Sequence, residues 1–173
     1  MAIIIREVES ILLLTDSVLV ANGSTLPIYG TVEKADNYFG MMLEGQRWSY
    51  TDRLRKVQAL VSATRRIDRL NFIGVQANPA QPLQFPRGTD TLVPVEIEQA
   101  TYELALVLLK GVDPDTEHDN LSATVQAYGG LRTEYDRGFV PPYIKAGIPS
   151  QTAWHLLLPF LDPRTGIELR RVS

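Results

Sequence analysis

Four acidic side chains at alternate positions could, by their type and spacing, coordinate a calcium ion. They are Asp113, Asp115, Glu117 and Asp119. An EF-hand loop alternates its oxygen ligands in this way, but it also needs glycine at its sixth position and glutamate at its twelfth. His118 and Thr124 stand at those two positions. The pattern therefore favours a solvated acidic loop over residues 112–120, and we predict no metal site.

Nucleophilic catalysis is a second possibility, because an imidazole beside a hydroxyl can activate it. The chain has two histidines, His118 and His155, and no nucleophile elbow accompanies either. The pair Gly129-Gly130 lacks the other glycines and the lysine of a phosphate-binding loop. The chain has no cysteine, which removes disulfides, thiol catalysis and thiolate zinc sites. We therefore predict no enzyme, no catalytic residue and no cofactor, and place His155 on a helix surface or interface.

The strongest charge feature is a group of three arginines within about one turn of a predicted helix. They are Arg65, Arg66 and Arg69. Because guanidinium groups bind phosphates and carboxylates, these residues are a candidate partner-facing or DNA-facing surface. The alternative is a solvated helix face that Asp52 and Asp68 balance. The sequence leaves both interpretations open.

Aromatic side chains could add base stacking to such a surface, provided that they are exposed. Most of those near the predicted helices fall at core-like positions or beside helix ends. They are Tyr38, Phe39, Trp48, Tyr50, Phe72 and Phe85. The pattern favours a core role for most of them.

The elements that must position these residues are mainly helices. Thr31 is a suitable N-cap for a helix over residues 32–43, which Gly40 weakens and Gly45 ends. The clearest amphipathic pattern starts near Asp52 and lasts until Gly74. Its apolar positions are Leu54, Val57, Leu60, Val61, Thr64, Ile67 and Leu70. Its opposite face carries Arg53, Arg55, Lys56, Arg65, Arg66 and Arg69.

The rest of the chain alternates loops with short elements. A proline-rich loop over residues 75–92 precedes a helix over residues 95–110, which Gly111 ends. Segments on either side of Gly129-Gly130 predict a β-hairpin near residues 122–136. Ser150 is a suitable cap for a last short helix, which Pro159 limits.

The N-terminal segment reads as β-structure. Its β-branched residues predict two short strands, and Asn22-Gly23 predicts a turn after the second. Acidic residues interrupt the apolar start in a way that a secretory signal does not, and no apolar run approaches the ~20 residues of a membrane span. We therefore expect neither secretion nor a membrane span.

Length and composition limit the fold class. The 173 residues, 45% hydrophobic and 21% charged, suit one globular domain. A net charge of −3 is not expected of a protein whose entire surface binds nucleic acid. We predict a mainly α protein with small β elements: a bundle of about four helices with a β-hairpin and long loops. The predicted divisions are a β-rich segment over residues 1–30, a helical domain over residues 31–161 and a C-terminal arm over residues 162–173.

The order of these pieces resembles a known family of small phage proteins. The first half of the signature is Ala35-Asp36-Asn37-Tyr38-Phe39, Trp48 and the run from Lys56 to Asp68. The second half is Phe72-Ile73-Gly74, Leu83-Gln84-Phe85-Pro86-Arg87, Val93-Pro94 and the run from Ile97 to Leu109. This set is similar to the head–tail connectors, or adaptors, of tailed bacteriophages. A related family with the same signature carries the label DnaT-like single-stranded-DNA-binding protein.

The resemblance implies a structural virion protein at the neck of the phage, assembled in the host cytoplasm. It implies a homo-oligomeric ring, often a dodecamer, that joins the portal protein to tail or nozzle proteins. Double-stranded DNA would pass through the ring without sequence-specific binding. In this picture the C-terminal arm docks on the portal or a neighbour through Ile167, Leu169, Arg170 and Arg171. The alternative is a single-stranded-DNA-binding or primosome-like module that uses the arginines at positions 65, 66 and 69.

Overall fold

A computed structural model describes residues 17–19, 25–113, 116, 125–128, 131–134 and 140–163. In these ranges helices dominate, and the strands form two antiparallel two-stranded hairpins, which confirms the predicted fold class. None of the helices in this part of the chain is long and apolar enough to cross a membrane. The predicted strand before residue 17 and the C-terminal arm from residue 164 onward lie outside the described residues, as does most of the acidic segment.

The first helix is shorter than predicted and a second follows it. Helix α1 covers Val32–Gly40, and the Thr31 hydroxyl accepts a hydrogen bond from the Lys34 amide at 3.2 Å. The chain then passes through a 3-10 turn, Leu43–Gly45, into the short helix α2, Gln46–Ser49. The prediction of helix up to residue 43 is wrong because the chain turns back onto α1 after Gly40.

Two glycines permit close approaches around α1. Gly30 has a φ of 75°, and a Cβ there would lie 2.1 Å from the Tyr102 hydroxyl oxygen. A Cβ at Gly45 would lie 2.1 Å from the Phe39 carbonyl oxygen. Since neither position has room for a side chain, glycine is what lets the chain fold back on both sides of the helix.

The centre of the bundle is a pair of 15-residue helices. Helix α3 covers Arg53–Ile67, and the Asp52 carboxylate caps it by accepting from the Arg55 amide at 3.0 Å. Helix α4 covers Val95–Leu109. The two pack against each other, and both contribute large and small apolar residues to one core. This confirms both predicted helices to within a few residues, although Gly74 does not end α3, which stops at Ile67.

The buried face of α3 differs from the predicted one. Its buried residues are Lys56, Ala59, Leu60, Ala63, Thr64 and Ile67. Leu54, predicted to be in the core, is 64% exposed, and Lys56, predicted to be on the solvated face, is buried. The buried positions follow the spacing 56, 59, 60, 63, 64 and 67, and position 54 does not lie on this buried face of the helix.

Lys56 can be buried because Asp36 accepts a hydrogen bond from its ammonium group. The Lys56 Nζ donates to Asp36 Oδ1 at 2.8 Å, and the Trp48 Nε1 donates to the same oxygen at 2.6 Å. The ammonium also lies 5.5 Å from the centre of the Trp48 ring. A buried cation needs such a partner, so this contact ties α1, α2 and α3 together.

The loop over residues 68–94 is ordered around one arginine. The Arg87 guanidinium donates to the carbonyl oxygens of Ile73 at 2.9 Å and Phe72 at 3.1 Å, and also to that of Gly74. It lies 5.8 Å from the centre of the Phe85 ring. The Phe-Pro-Arg sequence of the family signature therefore closes a long loop onto the core.

The remaining elements are short. Strand β1, Ser17–Leu19, pairs with β2, Thr25–Pro27, and β3, Val125–Tyr128, pairs with β4, Leu131–Glu134. The second pair confirms the hairpin predicted near residues 122–136. Helices α5, Pro142–Lys145, and α6, Gln151–Leu157, follow, and the 3-10 turn Leu158–Phe160 comes last. Ser150 caps α6 as predicted, and α6 packs on α4.

A buried tyrosine connects the N-terminal segment to α3 and the long loop. The Tyr29 hydroxyl donates to Asp68 Oδ1 at 2.6 Å and accepts from the Phe85 amide at 3.3 Å. The same Asp68 oxygen accepts from the Gln84 amide at 2.6 Å. Burial, together with the Asp68 carboxylate, raises the pKa of Tyr29, so its hydroxyl stays protonated as the donor.

A half-buried carboxyl joins α1 to α4. The Tyr38 hydroxyl donates to Glu103 Oε1 at 2.9 Å. Burial, and to a lesser extent the charge of Glu44, raises the pKa of Glu103 above 4.5, although the Tyr38 hydroxyl and Lys110 act in the opposite direction. The ionised form of this side chain is therefore less favourable in the folded protein than in the unfolded chain.

The first prediction concerns the hydroxyl of Tyr29. Replacing Tyr29→Phe keeps the buried ring but leaves Asp68 and the Phe85 amide without this partner. We expect the free energy of unfolding in urea to fall by about 1–3 kcal/mol. Tyr50→Phe, which removes a hydroxyl from an exposed ring, is the matched control and should change it by less than about 0.5 kcal/mol. Equal effects for the two variants would contradict the structural role of Tyr29.

The second prediction concerns pH. Because the pKa of Glu103 is higher in the folded protein, stability should fall as the pH rises from about 4.5 through the folded pKa. Glu103→Gln removes that ionisation, so the variant should gain stability relative to the wild type between pH 4.5 and neutral pH. Urea unfolding of the wild type and of the variant, at about pH 4.5 and at neutral pH, measures this difference in stability. A stability difference that does not change with pH would show that Glu103 is not destabilising when ionised.

Candidate nucleic-acid interface

The three arginines singled out in the sequence lie at the C-terminal end of α3. Arg65 and Arg66 occupy its last turn, and Arg69 follows just beyond it. Arg65 and Arg69 are exposed, whereas Arg66 is half-buried beside Gly147. Cations are favourable at this end of a helix because the carbonyl groups there carry partial negative charge. Among the residues that the structure describes, no acidic side chain forms an ion pair with any of the three.

Asp68 forms no ion pair with these arginines. Its Oδ1 instead accepts hydrogen bonds from the Tyr29 hydroxyl and the Gln84 amide. Asp52, at the opposite end of α3, caps the helix and lies 3.6 Å from the Arg55 Nε. Neither acid forms an ion pair with the three arginines, and the interpretation of a solvated helix face stays open.

The exposed face of α3 extends the basic surface further than the sequence suggested. Exposed residues follow one line at spacings of three and four: Arg55, Gln58, Ser62, Arg65 and Arg69. We call this line the polar stripe. It contains three arginines and no acidic residue, and about 15 Å of helix separates Arg55 from Arg65. In the sequence the three arginines were recognised as a group within one turn, although the spacing to Arg55 was a signal that the line continues.

Three other cations of α1 and α3 are paired with acidic side chains. The Lys34 Nζ lies 2.7 Å from Glu98 Oε1, Arg53 pairs with Glu33, and Lys56 pairs with Asp36. Helix α3 thus carries paired cations near α1 and unpaired guanidinium groups at its far end. Arg65 and Arg69 of the polar stripe are therefore exposed and free of ion pairs with the described acidic side chains, so an anionic ligand can reach them.

Most of the aromatic residues considered for base stacking belong to the core. Phe39 packs on Trp48 with ring centres 5.0 Å apart, and Phe72 packs on Phe85 at 4.7 Å. Tyr38 is half-buried and packs on Phe39. This confirms the core role predicted for these residues. Tyr50 differs from them, because as a residue it is 83% exposed.

Tyr50 lies in a groove where α2 meets α3 and the end of α4. The groove has a volume of about 420 Å³. Its walls are formed by Gln46, Arg47, Tyr50, Thr51, Arg55 and Leu109. Arg55 belongs both to this groove and to the polar stripe. No periodic pattern in the sequence reveals the groove, because α2 is too short to produce one.

The other residues singled out in the sequence do not add to this basic surface. His155 is exposed on α6, as the sequence suggested. Within the described ranges no three histidine, aspartate or glutamate side chains come together as a metal site would require, but most of the acidic segment lies outside those ranges. The absence of a metal site therefore stays a prediction. The docking residues Ile167, Leu169, Arg170 and Arg171 also lie outside the described part of the chain.

Comparison with known proteins gives one result. No curated protein matches the chain significantly, and no solved structure does so. A family model described as "Putative DnaT-like ssDNA binding protein" matches residues 17–172. None of these comparisons supports the head–tail connector interpretation. Because the match covers nearly the whole sequence, the chain belongs to the DnaT-like ssDNA-binding protein family.

Proposed function

We propose that the protein binds single-stranded DNA and that the polar stripe contacts the phosphate backbone. The observation that carries the proposal is the absence of acidic partners for Arg65, Arg66 and Arg69 within the described structure. Unpaired guanidinium groups on one helix face are ready to form charge-assisted hydrogen bonds with phosphates. Membership of the DnaT-like family supports the same function.

The charge distribution is compatible with this function despite the net charge of −3. Phosphate binding depends on the local field, and the stripe concentrates positive charge along one helix face. Contacts of this kind position a strand without reading its sequence. The length of the stripe, about 15 Å between Arg55 and Arg65, suits a short run of nucleotides. Binding is therefore expected to be sequence-independent and to weaken steeply with salt.

The third prediction tests the arginines. The double variant Arg65→Ala with Arg69→Ala, which changes two exposed arginines of the polar stripe, should bind an oligothymidine strand more weakly than the wild type does. It should also lower the magnitude of the slope of log K against log salt by about 1.4, since each lost phosphate contact on a single strand contributes about 0.7. Fluorescence anisotropy at several salt concentrations measures both quantities.

Arg53→Ala is the matched control for this experiment. Arg53 lies on the same helix but pairs with Glu33 and is outside the polar stripe. We expect its affinity and salt slope to equal those of the wild type, and circular dichroism should show that the double variant is folded. An unchanged salt slope in a folded double variant would refute the proposed role of the stripe.

A second candidate is the head–tail connector of the phage neck, and an exposed apolar turn favours it. Met41 is 93% exposed and Leu43 is fully exposed in the turn between α1 and α2. Adjacent exposed apolar side chains often mark protein–protein contacts. In this function the chain forms a ring, often a dodecamer, between the portal protein and tail or nozzle proteins. Double-stranded DNA then passes through the ring, and the C-terminal arm docks on a neighbour.

The fourth prediction separates the two candidates. A connector should form rings with or without portal protein in electron micrographs, and Met41→Ser with Leu43→Ser should abolish them. Leu92→Ser, which changes an exposed leucine in the long loop, is the matched control. Deletion of residues 164–173 should also weaken docking while the fold survives. A chain that remains monomeric in light scattering with portal protein present would exclude the connector function.

A further inference from the structure

We propose that the groove between α2, α3 and the end of α4 holds one unpaired nucleobase, which stacks on Tyr50, with the flanking phosphates on Arg47 and Arg55. The inference rests on the proposed function, because it assigns a base-binding position to the same strand. It adds a contact that distinguishes unpaired bases from paired ones.

Tyr50 offers a stacking surface that the other aromatics near α1–α3 do not. Tyr50 as a residue is 83% exposed, whereas Phe39 and Trp48 are buried against each other. Base stacking requires an accessible ring face, and it is tolerant of sequence because every base has a π-face. The exposed ring would thus suit a strand of any sequence.

The backbone around Tyr50 is held in place. The Tyr50 amide donates to the Gln46 carbonyl at 3.2 Å, and the Thr51 amide donates to the Trp48 carbonyl at 3.1 Å. The Thr51 hydroxyl donates to the Arg47 carbonyl at 2.8 Å. Because three hydrogen bonds fix this turn, less conformational freedom is lost when a base stacks on it.

Two arginines line the groove together with Tyr50. The Arg47 Nη2 donates to the Leu109 carbonyl at 3.3 Å, which anchors Arg47 in the groove wall. The Arg55 side chain is 74% exposed, and its ion pair with Asp52 at 3.6 Å uses Nε and leaves both terminal nitrogens available. A groove lined by an aromatic ring and two arginines is suited to binding both a base and its phosphates.

The size and position of the groove fit the same ligand. Its volume of about 420 Å³ falls within the usual range for small-ligand sites, about 300–1,000 Å³. Leu109 adds an apolar surface beside the tyrosine. Because Arg55 lines the groove and also begins the polar stripe, a strand can continue from the groove along α3 to the arginines at its end. In a duplex the faces of each base are covered by the bases stacked above and below it, so this contact favours single strands.

The fifth prediction compares two oligomers of equal length and charge. One is oligothymidine, and the other carries abasic sites throughout. The wild type should bind the base-bearing strand about 5- to 150-fold more tightly, which corresponds to one stacked base. Tyr50→Ala should lose this preference while its affinity for the abasic strand and its salt slope remain those of the wild type. Tyr50→Phe should keep the preference, because the ring face is retained.

Leu92→Ala, which truncates an exposed side chain in the long loop, is the control and should retain the preference. If the wild type binds neither strand, the proposed function fails and this inference fails with it. If the wild type binds both strands equally, or if Tyr50→Ala keeps the preference, the base site is refuted and backbone binding by the stripe stands.

Discussion

The packing of α3 against α4 is the constraint on which the rest of the structure depends. It buries the face of α3 that runs from Lys56 to Ile67 and leaves the opposite face to solvent. The polar stripe is that opposite face, so the core and the candidate interface are two sides of one helix. A different rotation of α3 would bury arginines and expose Leu60 and Ile67, which the hydrophobic effect opposes.

Buried polar contacts decide how charge is distributed around this helix. Asp36 accepts hydrogen bonds from Lys56 and the Trp48 indole. Asp68 accepts hydrogen bonds from the Tyr29 hydroxyl and the Gln84 amide. Both acids accept hydrogen bonds within the fold, and neither forms an ion pair with the arginines at the end of α3. The contacts that join α1, the long loop and α3 therefore leave these guanidinium groups without a direct acidic partner in the described part of the chain, which supports an anionic ligand.

The sequence anticipated part of the candidate interface. Arg65 and Arg66 were recognisable because they are close in sequence and lie on one turn of a strongly periodic helix. Arg47, Tyr50 and Arg55 were not recognised as a group, because they come from a four-residue helix, a turn and the next helix. Their proximity to Leu109, more than fifty positions away, arises only when α4 packs beside α2 and α3.

The sequence by itself determined the mainly helical class, the caps at Thr31 and Ser150, and the hairpin between β3 and β4. These depend on hydrogen bonds and periodicity among residues a few positions apart, which a linear pattern records. The tertiary structure alone decided that Lys56 is buried, that Leu54 is exposed and that Asp68 does not pair with the arginines. Those outcomes depend on partners far along the chain, such as Tyr29, which is 39 residues from Asp68. Only the packed helices bring such partners within hydrogen-bonding distance.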